Sequence, residues 1–135
     1  MRIVLDTNCL LPAIFENSPY SWLWEAFCEN EFSLCCSTEM LQEYEELLAS
    51  FYSVEISESV INTITNANNF VPVTSYFKWN LITADPDDNK FVDCALNAGA
   101  DYIVTNDRHF NILKEINFPY VKVASIEDFK KILLK

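Results

Sequence analysis

The sequence predicts an α/β fold built on a mainly parallel sheet. Short apolar runs alternate along the chain with segments that carry helix caps or helical periodicity, which is the pattern of strand–helix–strand units. Half of the 135 residues are apolar, enough to bury one sizeable core. No repeat, low-complexity stretch or linker divides the chain, so residues 1–135 read as a single domain.

Taken in order, Arg2–Leu5 is a short apolar strand bounded by polar residues. Asn8–Phe15 follows as a helix with Pro12 near its first turn, and Ser18-Pro19 opens a second helix through Cys28. Phe32–Cys36 is a strand, after which Ser37 caps a helix over Thr38–Ala49. Ser57 is expected to cap another over Glu58–Ala67, and Phe70–Val73 is a short extended piece. Tyr76–Asn89 is the longest irregular connection; Asp85-Pro86-Asp87-Asp88 ends it and opens the helix Asn89–Ala98, closed by Gly99. Tyr102–Val104 and Val121–Val123 are strands, and Ile126–Leu134 is a last helix.

Composition excludes several chemistries. Gly99 is the single glycine, against an average usage of about 7%, so a glycine-rich phosphate loop is absent. His109 is the single histidine, which excludes zinc sites that need two. The five cysteines are odd in number, form no CxxC and sit mostly in apolar company, as buried free thiols of a reducing compartment do. No run approaches the roughly 20 apolar residues of a membrane span, and the N-terminal run is too short for a signal peptide. The expectation is a cytoplasmic protein with no membrane role. The net charge of −11 opposes broad electrostatic binding of nucleic acid and favours cations or a basic protein partner.

In open parallel sheets ligands bind beyond the carboxyl ends of the strands. Asp6 directly follows the first strand there, and Asp107 follows Tyr102–Val104 after Thr105 and Asn106. Asp88, at the start of its helix, can join them, although an N-cap role explains it equally and Asp87 competes for that role. On the Thr38–Ala49 helix, Glu43 and Glu45 lie on opposite borders of the apolar stripe, each about 40° outside it, so geometry leaves them tied. Asp93 points almost opposite the apolar arc of its own helix and reads as solvated, while Asp101, at the amino end of a strand, reads as structural. Clustered carboxylates need a compensating charge, and oxygen-only ligands select Mg²⁺, Mn²⁺ or Ca²⁺. A carboxylate-held Mg²⁺ or Mn²⁺ pair activates water and supports a leaving phosphate oxygen, which points to phosphodiester hydrolysis.

At these residues the chain resembles a PIN domain. The matching pieces are Val4-Leu5-Asp6-Thr7-Asn8-Cys9-Leu10, the stretch Ser37 to Tyr44, and Asp85-Pro86-Asp87-Asp88-Asn89-Lys90-Phe91 running through Ala98 to Asp107, with Ile126-Glu127-Asp128-Phe129 in the tail. The resemblance covers almost the whole chain and is nearest the branch of toxins from toxin–antitoxin pairs. It implies a three-layer α/β/α sandwich and an endoribonuclease that cuts single-stranded RNA with Mg²⁺ or Mn²⁺. It implies Asp6, Glu43, Asp88 and Asp107 as catalytic metal ligands, choosing Glu43 over Glu45, with Asn8 and Thr105 holding the cluster. Members of the branch often carry an acid at the position of Asp93, which reopens that residue as a ligand against the helical-face reading. A small antitoxin protein is the implied partner.

A rim of Lys90, Arg108 and Lys114 could steer RNA to so acidic a chain, with Lys90 and Arg108 as phosphate contacts. Lys130, Lys131 and Lys135, on the terminal helix, are expected to lie away from the site. Trp24, about 60° beyond Phe27 on its helix, is a candidate for a dimer or antitoxin contact. The alternatives are a non-catalytic PIN-like binding module and, less well matched, a Mg²⁺-dependent receiver or phosphatase-type domain. The latter two need paired acids after the first strand, where this chain has Asp6-Thr7-Asn8.

Overall fold

The computed structural model describes residues 1–83 and 85–134. Ala84, inside the expected irregular connection, and Lys135 lie outside the described residues. The elements are β1 (Arg2–Leu5), α1 (Thr7–Ala13), α2 (Ser21–Cys28), β2 (Ser33–Cys36), α3 (Thr38–Phe51), α4 (Val54–Asn66), β3 (Phe70–Pro72), a 3-10 turn Pro86–Asp88, α5 (Asn89–Ala98), β4 (Tyr102–Val104), a 3-10 stretch Arg108–Glu115, β5 (Val123–Ala124) and α6 (Ile126–Leu133). The five strands pair in parallel in the order β3-β2-β1-β4-β5.

That order reverses at β1. The chain moves outward one way through β2 and β3, then crosses back and moves the other way through β4 and β5. Right-handed crossovers then put α1–α4 on one face and α5 with the Arg108–Glu115 stretch on the other. Packing follows suit. Leu5 and Leu34 lie among Leu10, Leu23 and Phe27 of α1 and α2, and Phe129 of α6 meets Phe32 edge-on at 5.3 Å. On the opposite face Cys94 of α5 lies beside Cys35, and Phe91 packs on Phe110 at 6.3 Å. The three-layer α/β/α sandwich is therefore present.

Local chemistry sets the helix ends. Ser37 accepts from the Met40 amide at 3.3 Å, Ser125 from Asp128 at 3.1 Å, and Gly99 closes α5 at φ 61°, a left-handed conformation that glycine adopts without strain. One expected cap moves: Ser53, not Ser57, caps α4, accepting from Ile56 at 3.1 Å. Ser57, Val60 and Ile64 form the buried face of that helix, so Ser57 lies a turn inside and donates to the Glu45 carbonyl at 2.8 Å. Ser18-Pro19 makes a turn, with Ser18 Oγ accepting from Tyr20, and α2 begins only at Ser21. Trp24 is half-buried, 5.6 Å from Phe27, so the exposed interface aromatic expected there does not occur.

All five cysteines are free. Burial pushes the Cys9 and Cys94 thiols up to about 12, so they stay protonated and inert. Asn69 is buried and its amide donates to the carbonyls of Phe27 at 2.8 Å and Phe32 at 2.7 Å, pinning the end of α2 to the start of β2. Asn69→Ala is expected to cost about 2 kcal/mol, two buried carbonyls losing their donor, measured by denaturant unfolding. An unchanged midpoint would mean water replaces the amide at no cost.

Candidate functional site

β1 and β4 flank the point where the strand order reverses, and their carboxyl ends lie level, Leu5 opposite Val104. Asp6 continues β1 by donating its amide to the Val104 carbonyl at 3.1 Å, then turns the chain into α1. Asp6 as a whole is 3% exposed. One carboxylate oxygen accepts from the Thr105 hydroxyl at 2.8 Å and the other from the Asn8 amide at 3.3 Å. The same Thr105 hydroxyl oxygen accepts from the Asp107 amide at 3.0 Å. Buried Thr105 thus fixes both Asp6 and the backbone that presents Asp107. Asn8 contributes through its backbone; its side chain is exposed.

Asp107 caps the 3-10 stretch, accepting from the His109 amide at 2.9 Å. His109 Nδ1 stands 3.5 Å from Asp107 and 3.7 Å from Asp88. Asp85 caps the Pro86–Asp88 turn, which brings its carboxylate, Asp88 and His109 within 4.8 Å of one another. Asp88 Oδ2 is buried and, among the described residues, has no hydrogen-bond partner. Glu43 arrives from α3: the Thr7 hydroxyl donates to it and Lys90 Nζ pairs with it at 2.9 Å. Glu45 is exposed, so of the two glutamates on the borders of the α3 stripe it is Glu43 that α1 and α5 contact.

Electrostatics ties these groups together. Burial holds the Asp6 carboxyl above its ordinary range, and Asp107 and Glu43 push it the same way. Burial raises Asp88 to about 6, helped by Asp85, Asp107 and Asp6 and opposed by His109. Mutually repelling carboxylates, one with a buried oxygen that accepts no hydrogen bond among the described residues, make a set of hard donors suited to a divalent cation.

Asp93 does not join this cluster. It is 5% exposed, not solvated as its helical face suggests. Burial raises it, and Lys78 and Glu39 are its charged neighbours. The reason is the chain over 76–82, which runs along α5 and hides its outer face. Asn97 accepts from the Tyr76 amide at 3.4 Å, Asp93 from Trp79 at 3.0 Å, and Asn89 exchanges two bonds of 2.8 Å with Ile82. Asn89, Asp93 and Asn97 recur every four residues, one polar stripe that docks a strap.

A family model described as the PIN domain matches residues 2–109. The chain belongs to the PIN domain family. Two solved structures share its fold, each covering 93% of this chain and 98% of its own: VapBC2 from Rickettsia felis bound to a DNA fragment from their promoter, at 18% identity and TM-score 0.63, and FitAcB from Neisseria gonorrhoeae, at 15% and 0.57. No curated protein matches the sequence. Membership of the PIN domain family replaces the receiver and phosphatase alternatives.

Beyond the carboxylates, this PIN domain places Arg108 and Lys114 in one depression beside Asp107, whereas Lys90 is engaged by Glu43 and by the Asp87 carbonyl at 2.7 Å. Thr7, Asp85 and His109 escaped the sequence reading. Thr7 lies one residue past Asp6, and nothing local marks its contact with a glutamate 36 positions away. Asp85 and His109 each sit two or three residues from an acid already singled out. Among the described residues no helix is long and apolar enough to cross a membrane.

Proposed function

We propose that this single domain, residues 1–135, is a divalent-metal-dependent endoribonuclease of the cytoplasm, the toxin of a toxin–antitoxin pair. The observation that carries the reading is the group Asp6, Asp88 and Asp107, with Glu43 adjoining. Their charges repel, and the buried Asp88 Oδ2 accepts no hydrogen bond among the described residues. These four would hold Mg²⁺ or Mn²⁺, with Asp85 and His109 within reach of Asp88. The bound metal supplies an activated water and support for a leaving phosphate oxygen.

The chain's own residues do the positioning. Thr105 orients Asp6 and Asp107 together; Thr7 and Lys90 orient Glu43. Arg108 and Lys114 offer charge to a phosphate beside Asp107. The VapBC2 structure, bound to promoter DNA, supports a partnered context, in which a small antitoxin or a second copy covers part of the domain.

The test is cleavage of a mixed single-stranded RNA pool. Products should form with Mg²⁺ or Mn²⁺ and vanish with chelator. An intact pool at every metal tried would leave a non-catalytic binding module. Thr105→Val should cut activity about 10–100-fold, the usual loss when the partner of a ligand goes, while the fold persists. Activity equal to wild type would remove Thr105 from the supporting role.

A further inference from the structure

The strap over 76–82 does more than cover α5. Its backbone is bound inward by Asn97, Asp93 and Asn89, which leaves large rings outward. Phe77 is 68% exposed and Trp79 38%, their centroids 6.4 Å apart. Phe118, on the loop before β5, is 84% exposed and meets Trp79 edge-on at 6.4 Å. Exposed rings this large are costly in water and mark a binding surface.

What occupies the surface follows from its make-up. Its hydrophobic side chains are aromatic, Lys78 falls between Phe77 and Trp79 in the sequence, and Lys78 and Lys90 line a cavity of about 190 Å³ together with Glu39, Asp87 and Asp93. Clustered exposed ring faces are what proteins offer to unpaired nucleic acid bases, because every base has a stacking face. The surface also adjoins the acidic site. Asp93, which anchors Trp79, lies five residues from Asp88 on the same helix run, about 7.5 Å along the axis at 1.5 Å per residue. The last strap residue, Ile82, is bound to Asn89, next to Asp88.

We propose that Phe77, Trp79 and Phe118 form a stacking platform for the unpaired bases of a single-stranded RNA whose backbone continues into the acidic site. This rests on the nuclease reading and adds how the substrate is held. Glu39, Asp87 and Asp93 share the cavity, so ring faces rather than phosphate charge carry the affinity. The logarithm of affinity should then fall with log salt no more steeply than about 1.4, two phosphate contacts at roughly 0.7 each.

The experiment is fluorescence anisotropy of a labelled oligouridine of about 12 nucleotides, within the range such grooves cover, in EDTA so that no cleavage intervenes. A duplex of equal length is the comparison. Trp79→Ala and Phe118→Ala should each weaken single-strand binding roughly 5- to 150-fold, the 1–3 kcal/mol of one stacked base. Trp79→Phe should retain most of the affinity. Phe118→Leu, which keeps apolar bulk without a ring face at a largely exposed position, should lose it. Wild-type-like affinity in Phe118→Leu, a preference for the duplex, or no binding by wild type overturns the platform. So does a shift from dimer to monomer in Trp79→Ala with RNA affinity unchanged, which would make the surface a contact between copies. The nuclease reading fails separately, if wild type cleaves no RNA with Mn²⁺ however it binds.

Discussion

Asp6→Asn is expected to lower RNA cleavage by more than about 100-fold while leaving the metal-free protein as stable as wild type or more so. The activity loss follows from position. Asp6 is the most enclosed carboxylate of the cluster, and even residues that only support a metal ligand cost roughly 10–100-fold when removed. The stability gain follows from charge. Burial and the neighbouring Asp107 and Glu43 favour the neutral form of Asp6, and the amide is neutral at every pH. Local bonding survives the change: the amide oxygen can accept from the Asn8 amide, and the amide nitrogen can donate to Thr105 Oγ1 in place of the present bond. Mg²⁺ should raise the melting temperature of wild type more than that of the variant, because a ligand that binds only the folded state stabilises by mass action. Equal Mg²⁺-induced shifts in the two proteins would show that Asp6 holds no metal.

How much of this could be read from the chain depends on what each feature needed. The strands were legible because Ile3-Val4-Leu5 and Tyr102-Ile103-Val104 are buried on both faces and read as continuous apolar runs. That Asp6 and Asp107 meet at one rim was legible because each is an acid just beyond a strand end, whereas position left Asp88 level with Asp87 and with a capping role, and only the resemblance chose between them. Asp93 misled because helical periodicity assumes that the face away from the sheet meets water. The strap over 76–82 breaks that assumption, and the hint was there in Asn89, Asp93 and Asn97 at four-residue spacing. The cap of α4 misled differently. Ser53 and Ser57 are equivalent locally, and only packing on α3 decides between them. The contacts of Glu43 with Thr7 and Lys90 join three elements, which no local pattern encodes. The exposed rings of the strap and of Phe118 come together only after the chain has folded.

Asp88→Asn should flatten the pH dependence of stability in the metal-free protein. The Asp88 carboxyl rises from 3.8 in the unfolded chain to about 6 in the folded one, so the folded state holds its proton more tightly. Its contribution is complete below pH 3.8 and is lost as pH rises through about 6. At 1.36 kcal/mol per unit the full loss is at most about 3 kcal/mol, and roughly half of it falls between pH 5 and 7.5. That interval is accessible because it lies above the isoelectric point of about 4.3, where the protein stays charged. Asp6, raised for the same reason, adds a slope of the same sign that the variant keeps. Urea unfolding in EDTA across this interval should therefore show wild type losing stability with rising pH faster than Asp88→Asn, and the variant more stable at pH 7.5. Mg²⁺ should reverse the wild-type trend, since the ion needs the carboxylates deprotonated and its binding strengthens as they ionise. Parallel pH profiles for the two proteins would mean that the buried Asp88 oxygen finds a partner in solution and that the cluster carries no unmet charge there.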